Sequence, residues 1–371
     1  MNCSLFGGSN SVLINGLQKA LRENFVVENY ALGATSCIQN TLELVRNFNK
    51  ILKTDFVVTE SNVNDIMSYT SLKIPRDKIE SQIDDYYKLL NTINKPIFVL
   101  ILPTHRKQES LDDICFINNI HVENCLKYGF FYIDIQSKID NLNLDNLNLL
   151  MPHPRHINEA FIYHLMLNIC NFIKNNNGFC FKKIIRDSVK DKYKYFSAED
   201  FDISPNLENK KNSAFSVNLS IIDNKFYKFP KIFIGWQLLA INTWCDDYAS
   251  VIISSKNMDY FVVKSFGKLY SSSEFISSIE ISEDTVVTLN VDNIISTEPT
   301  ILVKYNEKGN QSDLKIEGFL LVNNKVEDVV NNYVYDIIDL NITEQIWVNW
   351  EPYIAAMKTF LSLSVNNRSL V

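Results

Sequence analysis

Ser9, the segments Asn29–Thr35 and Glu60–Asp65 and the pair His153-Pro154 contain residue types that together could carry out acyl transfer. A serine hydroxyl attacks a carbonyl once a base takes its proton, and histidine is the side chain best suited to that task. A glycine N–H and an asparagine amide can receive the negative charge that develops on the carbonyl oxygen. Ser9 lies in Phe6-Gly7-Gly8-Ser9-Asn10-Ser11, directly behind the apolar run 3–6. A Gly-Gly turn from a strand into a helix exposes such a hydroxyl. It also aims the serine N–H at an oxyanion and adds the favourable field of a helix N-terminus. Taken alone, the turn also fits an ordinary helix N-cap.

These residues fall where an alternating pattern of elements would bring them together. Strand-like apolar runs occupy 3–6, 25–31, 55–59, 97–102 and 130–135. Amphipathic stretches at 11–24, 38–52, 76–92, 112–128 and 158–174 lie between or after them. This rhythm predicts an α/β fold, with a parallel sheet covered by helices on both faces. Ser9 follows the first strand, Asn29–Thr35 the second and Glu60–Asp65 the third, while His153-Pro154 precedes the last helix. Open α/β sheets place their sites at these carboxyl ends.

In that order the residues resemble the SGNH (GDSL-like) hydrolases over roughly residues 1–175. The usual Gly-Asp-Ser block reads Gly7-Gly8-Ser9, and Gly-x-Asn-Asp reads Asn62-Val63-Asn64-Asp65. The usual Asp-x-x-His-Pro reads Leu150-Met151-Pro152-His153-Pro154. The resemblance implies a flavodoxin-like three-layer sheet. It makes Ser9 the nucleophile and His153 the base, with an oxyanion hole from the Ser9 and Gly33 N–H groups and the Asn64 amide. The family's acid position holds Leu150, so another group must orient His153, either a backbone carbonyl or Asp145. Asn10, Arg155 and His105 are candidate substrate contacts, Arg155 for an anionic sugar group. His156 is a competing base, ranked below His153 because His153 keeps the His-Pro pair and the offset to the helix. Asn64 and Asp65 also fit an Asx turn, His105 also fits a surface position, and His121 and His164 read as structural.

The remainder of the chain changes character. Residues 176–212 are charged and mixed and read as a connector with short helices. Period-two strands at 215–219, 231–239, 250–254, 260–264, 276–281, 286–291, 301–305 and 314–321 predict an antiparallel β-sandwich over 213–342. Trp236, Trp244, Tyr248 and Tyr260 read first as its aromatic core and second as a sugar-stacking platform. A helix carrying Trp347, Trp350 and Tyr353 is expected within 343–371, docked on a neighbouring domain.

Composition narrows the function classes. A net charge of −7 over 371 residues argues against nucleic acid or an anionic membrane as a general partner. Seven scattered cysteines without a CxxC pair or a Cys/His cluster disfavour a metal site and fit a reducing compartment. Neither a signal peptide nor a transmembrane run is legible, so a cytoplasmic location is expected. The expected activity is a serine esterase or O-acetyltransferase acting on a carbohydrate, for instance a bacterial surface-glycan precursor. No cofactor is expected for hydrolysis, whereas acetyl-CoA or another acyl donor would serve a transferase. The expected partners are an O-acylated or acceptor carbohydrate and, through the β region, a second copy or a glycan-assembly protein. The alternatives are a non-catalytic glycan-binding protein on a decayed hydrolase fold, and a nucleotide-binding protein using Gly7-Gly8-Ser9 for phosphate. The absence of a Walker lysine and of GxGxxG counts against the nucleotide reading.

Overall fold

A computed structural model describes residues 1–107, 109–140, 142, 144–176, 191–212, 214–255, 261–301, 303, 313–326 and 339–368. The first half contains strands β1 (Asn2–Phe6), β2 (Val26–Asn29), β3 (Phe56–Thr59), β4 (Ile97–Ile101) and β5 (Phe131–Asp134). They pair in parallel in the order β2-β1-β3-β4-β5, a doubly wound arrangement. Helices α1 (Ser9–Val12), α2 (Leu17–Asn24), α3 (Cys37–Ile51), α4 (Asn62–Ser71), α5 (Arg76–Thr92), α6 (Leu111–Tyr128), α7 (Ile135–Ile139), α8 (Leu144–Leu150) and α9 (Glu159–Asn175) surround the sheet. One apolar cluster joins α2 and α9 to one face, and a second joins α3, α5 and α6 to the other.

Several boundaries depart from the periodicity. The expected helix 11–24 is two helices, because the chain turns at residues 13–16. At Gly16 an added Cβ would lie 2.9 Å from Ile162, so this turn is pressed against α9. The segment around Asn64 is the first turn of α4 and not an Asx turn. Its start is anchored by buried Asn62, which donates to Leu102 O and Asn118 Oδ1 and accepts from Leu102 N–H.

The second half forms two antiparallel sheets. One contains β6 (Tyr193–Ser197), β7 (Asn206–Lys211), β8 (Ser216–Ile222), β10 (Gln237–Thr243), β13 (Ser271–Glu280) and β15 (Leu314–Val322). The other runs β12 (Val262–Phe266), β11 (Ala249–Ser254), β14 (Val286–Leu289), β9 (Tyr227–Lys228). Residues of both sheets share one apolar cluster that includes Phe196, Ile241, Val251, Phe275 and Phe319. The described part of the expected connector corrects that reading, because β6 and β7 are strands paired to β15 and β8. The run 231–239 begins with a 3₁₀ turn at Lys231–Phe233 before β10 starts. Pro230 fixes the backbone there and supplies the turn's carbonyl acceptor. Residues 177–190, Tyr260 and most of 301–305 lie outside the described residues.

The two halves meet through buried polar groups as well as apolar ones. Arg46 on α3 pairs with Glu43 and with Glu317 on β15, and Tyr270 donates to the same Glu317 at 2.6 Å. Ser68 on α4 donates to Glu274 on β13 at 2.7 Å, and Lys78 Nζ donates to the Phe275 and Ile276 carbonyls. Leu32, beside Gly33, packs with Val217 and Leu219 of β8 and with Tyr270, which immediately precedes β13. Trp347, Trp350 and Tyr353 pack against the α9 side of the parallel sheet, with short and long helices at Thr343–Ile346 and Glu351–Arg368.

Candidate active site

β1 ends at Phe6, and the chain turns through Gly7 and Gly8 into α1 with Ser9 as its first residue. Gly8, not Ser9, occupies the N-cap position. Both glycines are required by close approach. A Cβ on Gly7 would lie 2.5 Å from Glu60 Oε1, and a Cβ on Gly8 would lie 1.9 Å from Asn64 Nδ2. The missing aspartate of the Gly-Asp-Ser block therefore has a local cause: the Asn64 amide fills the space that a side chain at position 8 would need.

Ser9 Oγ lies 2.7 Å from His156 Nε2. This corrects the expectation that His153 meets Ser9. His153 and His156 are the two ends of a tight turn through Pro154 and Arg155, with the His156 N–H donating to the His153 carbonyl at 3.2 Å. Three contacts fix which end faces Ser9. Asn10 Nδ2 donates to Arg155 O at 3.0 Å, His105 N–H to Pro154 O at 2.8 Å, and Asn158 N–H to Leu150 O at 2.7 Å. His153 is left exposed, its ring stacked on that of His156 with centroids 4.3 Å apart.

The histidine against Ser9 changes the reading of the acid position. Three residues before His156 stands His153, in His153-Pro154-Arg155-His156. Leu150 is buried in the apolar cluster beside α9 and is remote from that role. Asp145 is exposed on α8 and, among the described residues, makes no hydrogen bond or ion pair with either histidine. No carboxylate is hydrogen-bonded to His156 among the described residues.

Burial lowers the His156 pKa below the ordinary histidine value, and the nearby charges of His153 and Arg155 push the same way. A base must be neutral to accept a proton, so a lowered pKa keeps it competent into mildly acidic solution. The acid limb of a pH–rate profile for Ser9 reactivity is therefore expected below the ordinary histidine pKa of about 6.5. A kcat/KM profile against a neutral ester checks this when taken on Glu60→Gln, in which the buried carboxyl group beside Gly8 adds no titration of its own; a limb above that value would contradict the assigned environment.

Gly33 approaches Ser9, and Asn64 approaches Gly8, the residue before it. A Cβ on Gly33 would lie 3.8 Å from Ser9 Cβ, an ordinary contact, so the Gly33 turn sits directly beside Ser9. The turn is held by Leu32 N–H donating to Gly7 O at 3.0 Å. Asn64 is buried on the first turn of α4 with its amide against Gly8. This grouping brings a hydroxyl, an imidazole and a backbone turn together, with a carboxamide beside the residue that precedes the serine.

The other candidates have positions of their own. Asn10 spends its amide N–H on the Arg155 carbonyl and so braces the histidine turn. Arg155 is paired through Nη2 with Glu109 at 2.5 Å, so its charge is already matched. His105 is buried, which corrects its surface reading; Nε2 meets Asn148 Oδ1 and Nδ1 accepts from Lys107 N–H. Trp236 packs edge-on to Phe233, and Trp244 lies tilted against Tyr270.

Two buried carboxyl groups beside the site have structural partners that the sequence did not show. Asp65 accepts from Cys37 N–H at 2.8 Å, capping α3, and meets His121 Nε2 at 3.0 Å, while Tyr87 meets His121 Nδ1. Glu60 accepts from Gly8 N–H and Ser11 Oγ. The signal for Glu60 was its place at the end of β3, but a single charged residue there reads equally well as solvated. Among the described residues there is no group of three or more His, Cys, Asp or Glu side chains able to hold a metal, and no helix long and apolar enough to cross a membrane.

No family model matches the chain. Solved structures similar to it include an acetyl xylan esterase, at 18 % identity, covering 47 % of this chain and 98 % of that one with a TM-score of 0.38. A lipase/acylhydrolase from Enterococcus faecalis is 15 % identical and covers 47 % and 95 %, with a TM-score of 0.39. A member of the lipolytic G-D-S-L family from Veillonella parvula is 15 % identical over 47 % and 99 %, with a TM-score of 0.38. Among curated proteins, the Mediator of RNA polymerase II transcription subunit 5 of Debaryomyces hansenii is 24 % identical over 293 residues. That stretch is 75 % of this chain and only 25 % of the relative. At these scores and shares the likenesses say nothing about chemistry.

Proposed function

We propose that this protein is a serine esterase that cleaves acyl esters through an acyl-Ser9 intermediate. The observation that carries the reading is the 2.7 Å contact between Ser9 Oγ and His156 Nε2. As Oγ attacks the carbonyl carbon, its proton passes to His156 Nε2. The oxyanion is received by the Ser9 and Gly33 N–H groups and the Asn64 amide. Collapse breaks the bond to the leaving alcohol, which takes the proton from His156. Water then attacks the acyl-serine by the reverse route, releasing the acid and restoring Ser9. If a sugar hydroxyl replaces water, the same intermediate gives acyl transfer.

We read the substrate as a carbohydrate O-acyl ester and the two antiparallel sheets as a recognition sandwich. Leu32 packing on that sheet next to Gly33 supports a link between the two parts. The test is acid quenching of the protein during turnover of an acetylated oligosaccharide, followed by mass spectrometry. The acetyl group is expected on the peptide that contains Ser9 and is expected to be missing in Ser9→Ala. An unmodified Ser9 peptide under turnover overturns the reading.

The second reading, a glycan-binding protein without catalysis, is favoured by one observation: among the described residues no carboxylate is hydrogen-bonded to His156, and Glu159 acts on it only through its charge. It predicts saturable binding of the oligosaccharide with no acetate released.

A further inference from the structure

We propose that Glu60 is the positioning residue of the Ser9 turn, a buried carboxyl group whose charge state sets how firmly the nucleophile is held. The inference rests on the reading of Ser9 as nucleophile. Glu60 follows β3 directly and is 1 % exposed. Its Oε1 accepts from Gly8 N–H at 2.7 Å and from the Ser11 hydroxyl at 2.9 Å, donors on either side of Ser9. Its own N–H donates to Phe6 O at 3.2 Å, and Asn40 Nδ2 donates to its carbonyl at 3.3 Å. One carboxyl oxygen therefore bridges the turn, and the residue holding it is tied to β1 and α3.

The sequence makes room for this bridge at one position. A Cβ on Gly7 would lie 2.3 Å from Ser11 Oγ and 2.5 Å from Glu60 Oε1, so any side chain there would expel the carboxyl group. The second oxygen, Oε2, is buried and has no hydrogen-bond partner among the described residues. Burial pushes the Glu60 pKa up to about 7, against the pull of the Ser11 and Gly8 hydrogen bonds and with a further push from Asp65. The titratable groups facing it from the packed helices are Asp65 on α4 and Tyr86 on α5, whose hydroxyl is bonded to Thr59 Oγ1. From α1 and α3 it meets the uncharged Ser11 and Asn40.

The ionised carboxylate makes charge-assisted bonds, roughly twice as strong as those of the neutral acid. The clamp therefore tightens as pH rises through 7. Glu60→Gln copies the neutral acid: its amide oxygen can accept the same two bonds but cannot ionise. Wild type and Glu60→Gln should match in acid and part in base.

The experiment measures the rate at which a fluorophosphonate labels Ser9 from pH 5.5 to 8.5, with Ser9→Ala as the blank. In labelling, Oγ bonds to phosphorus, fluoride leaves and the hydroxyl proton goes to His156. The ratio of wild type to Glu60→Gln is expected near one at the acid end and about threefold to tenfold at the alkaline end. Dividing the two rates removes the His156 titration, which both proteins share. A ratio flat across the range, or Glu60→Gln faster in base, overturns the proposal while leaving Ser9 as nucleophile. A wild type labelled no faster than Ser9→Ala overturns the nucleophile, and the role of Glu60 falls with it. Glu60→Ala, which strands both donors, should label more slowly at every pH; if it does not fold, the glutamine variant carries the test.

Discussion

His156→Ala is expected to lower kcat/KM for an acetyl ester about 10²- to 10⁴-fold, the usual contribution of a positioned general base. Ser9→Ala should cost at least as much, because it removes the bond-forming atom. His153→Ala should cost roughly tenfold or less, since its ring touches His156 only by stacking, a contact of about 0.5–1.5 kcal/mol. Two histidines so close in sequence are thus separated by function through the turn between them. The measurement is steady-state kinetics on a chromogenic acetyl ester, with melting temperatures to show that each variant is folded. A large loss in His153→Ala with little change in His156→Ala would restore His153 as the base and overturn the assignment.

Gly8→Asp, which would complete the Gly-Asp-Ser block of the resembled family, is expected to abolish the proposed esterase activity. The new Cβ would sit 1.9 Å from Asn64 Nδ2 and 3.1 Å from its Cγ. Asn64 is 4 % exposed on the first turn of α4, whose start is pinned by Asn62 through three hydrogen bonds, so the amide has little room to retreat. Displacing it removes one oxyanion donor, worth about 10²- to 10³-fold in kcat. Gly8→Ala should fall almost as far, because the methyl alone creates the clash. Asn64→Ala should match Gly8→Ala, and the double variant should be little worse than either, since both remove the same donor. Fully additive losses would show that position 8 acts by some other route.

Much of this fold was legible because its elements are local. The strands at Asn2–Phe6, Phe56–Thr59 and Ile97–Ile101 are short apolar runs, and a strand buried on both faces has no alternative composition. The helix at Arg76–Thr92 has the bounds its periodicity indicated. Strand β7 escaped notice because Asn206–Lys211 carries two lysines and a glutamate around a single apolar residue, and β6 because the aromatic run Tyr193–Ser197 directly follows the charged run Lys190-Asp191-Lys192. What makes them strands is their partners, β15 and β8, which lie far along the chain or across a turn.

For the site, the sequence by itself placed Ser9, Gly33 and Asn64 at the ends of successive strands. A parallel α/β sheet brings such ends together whatever the intervening loops do. It could not choose between His153 and His156. That choice depends on which way the four-residue turn from His153 to His156 faces, and Asn10, His105 and Asn158 decide it through hydrogen bonds formed only after packing. Nor could it assign Glu60. A carboxyl group at a strand end reads as solvated until the structure shows it walled in, with the glycine at position 7 leaving the space that it fills.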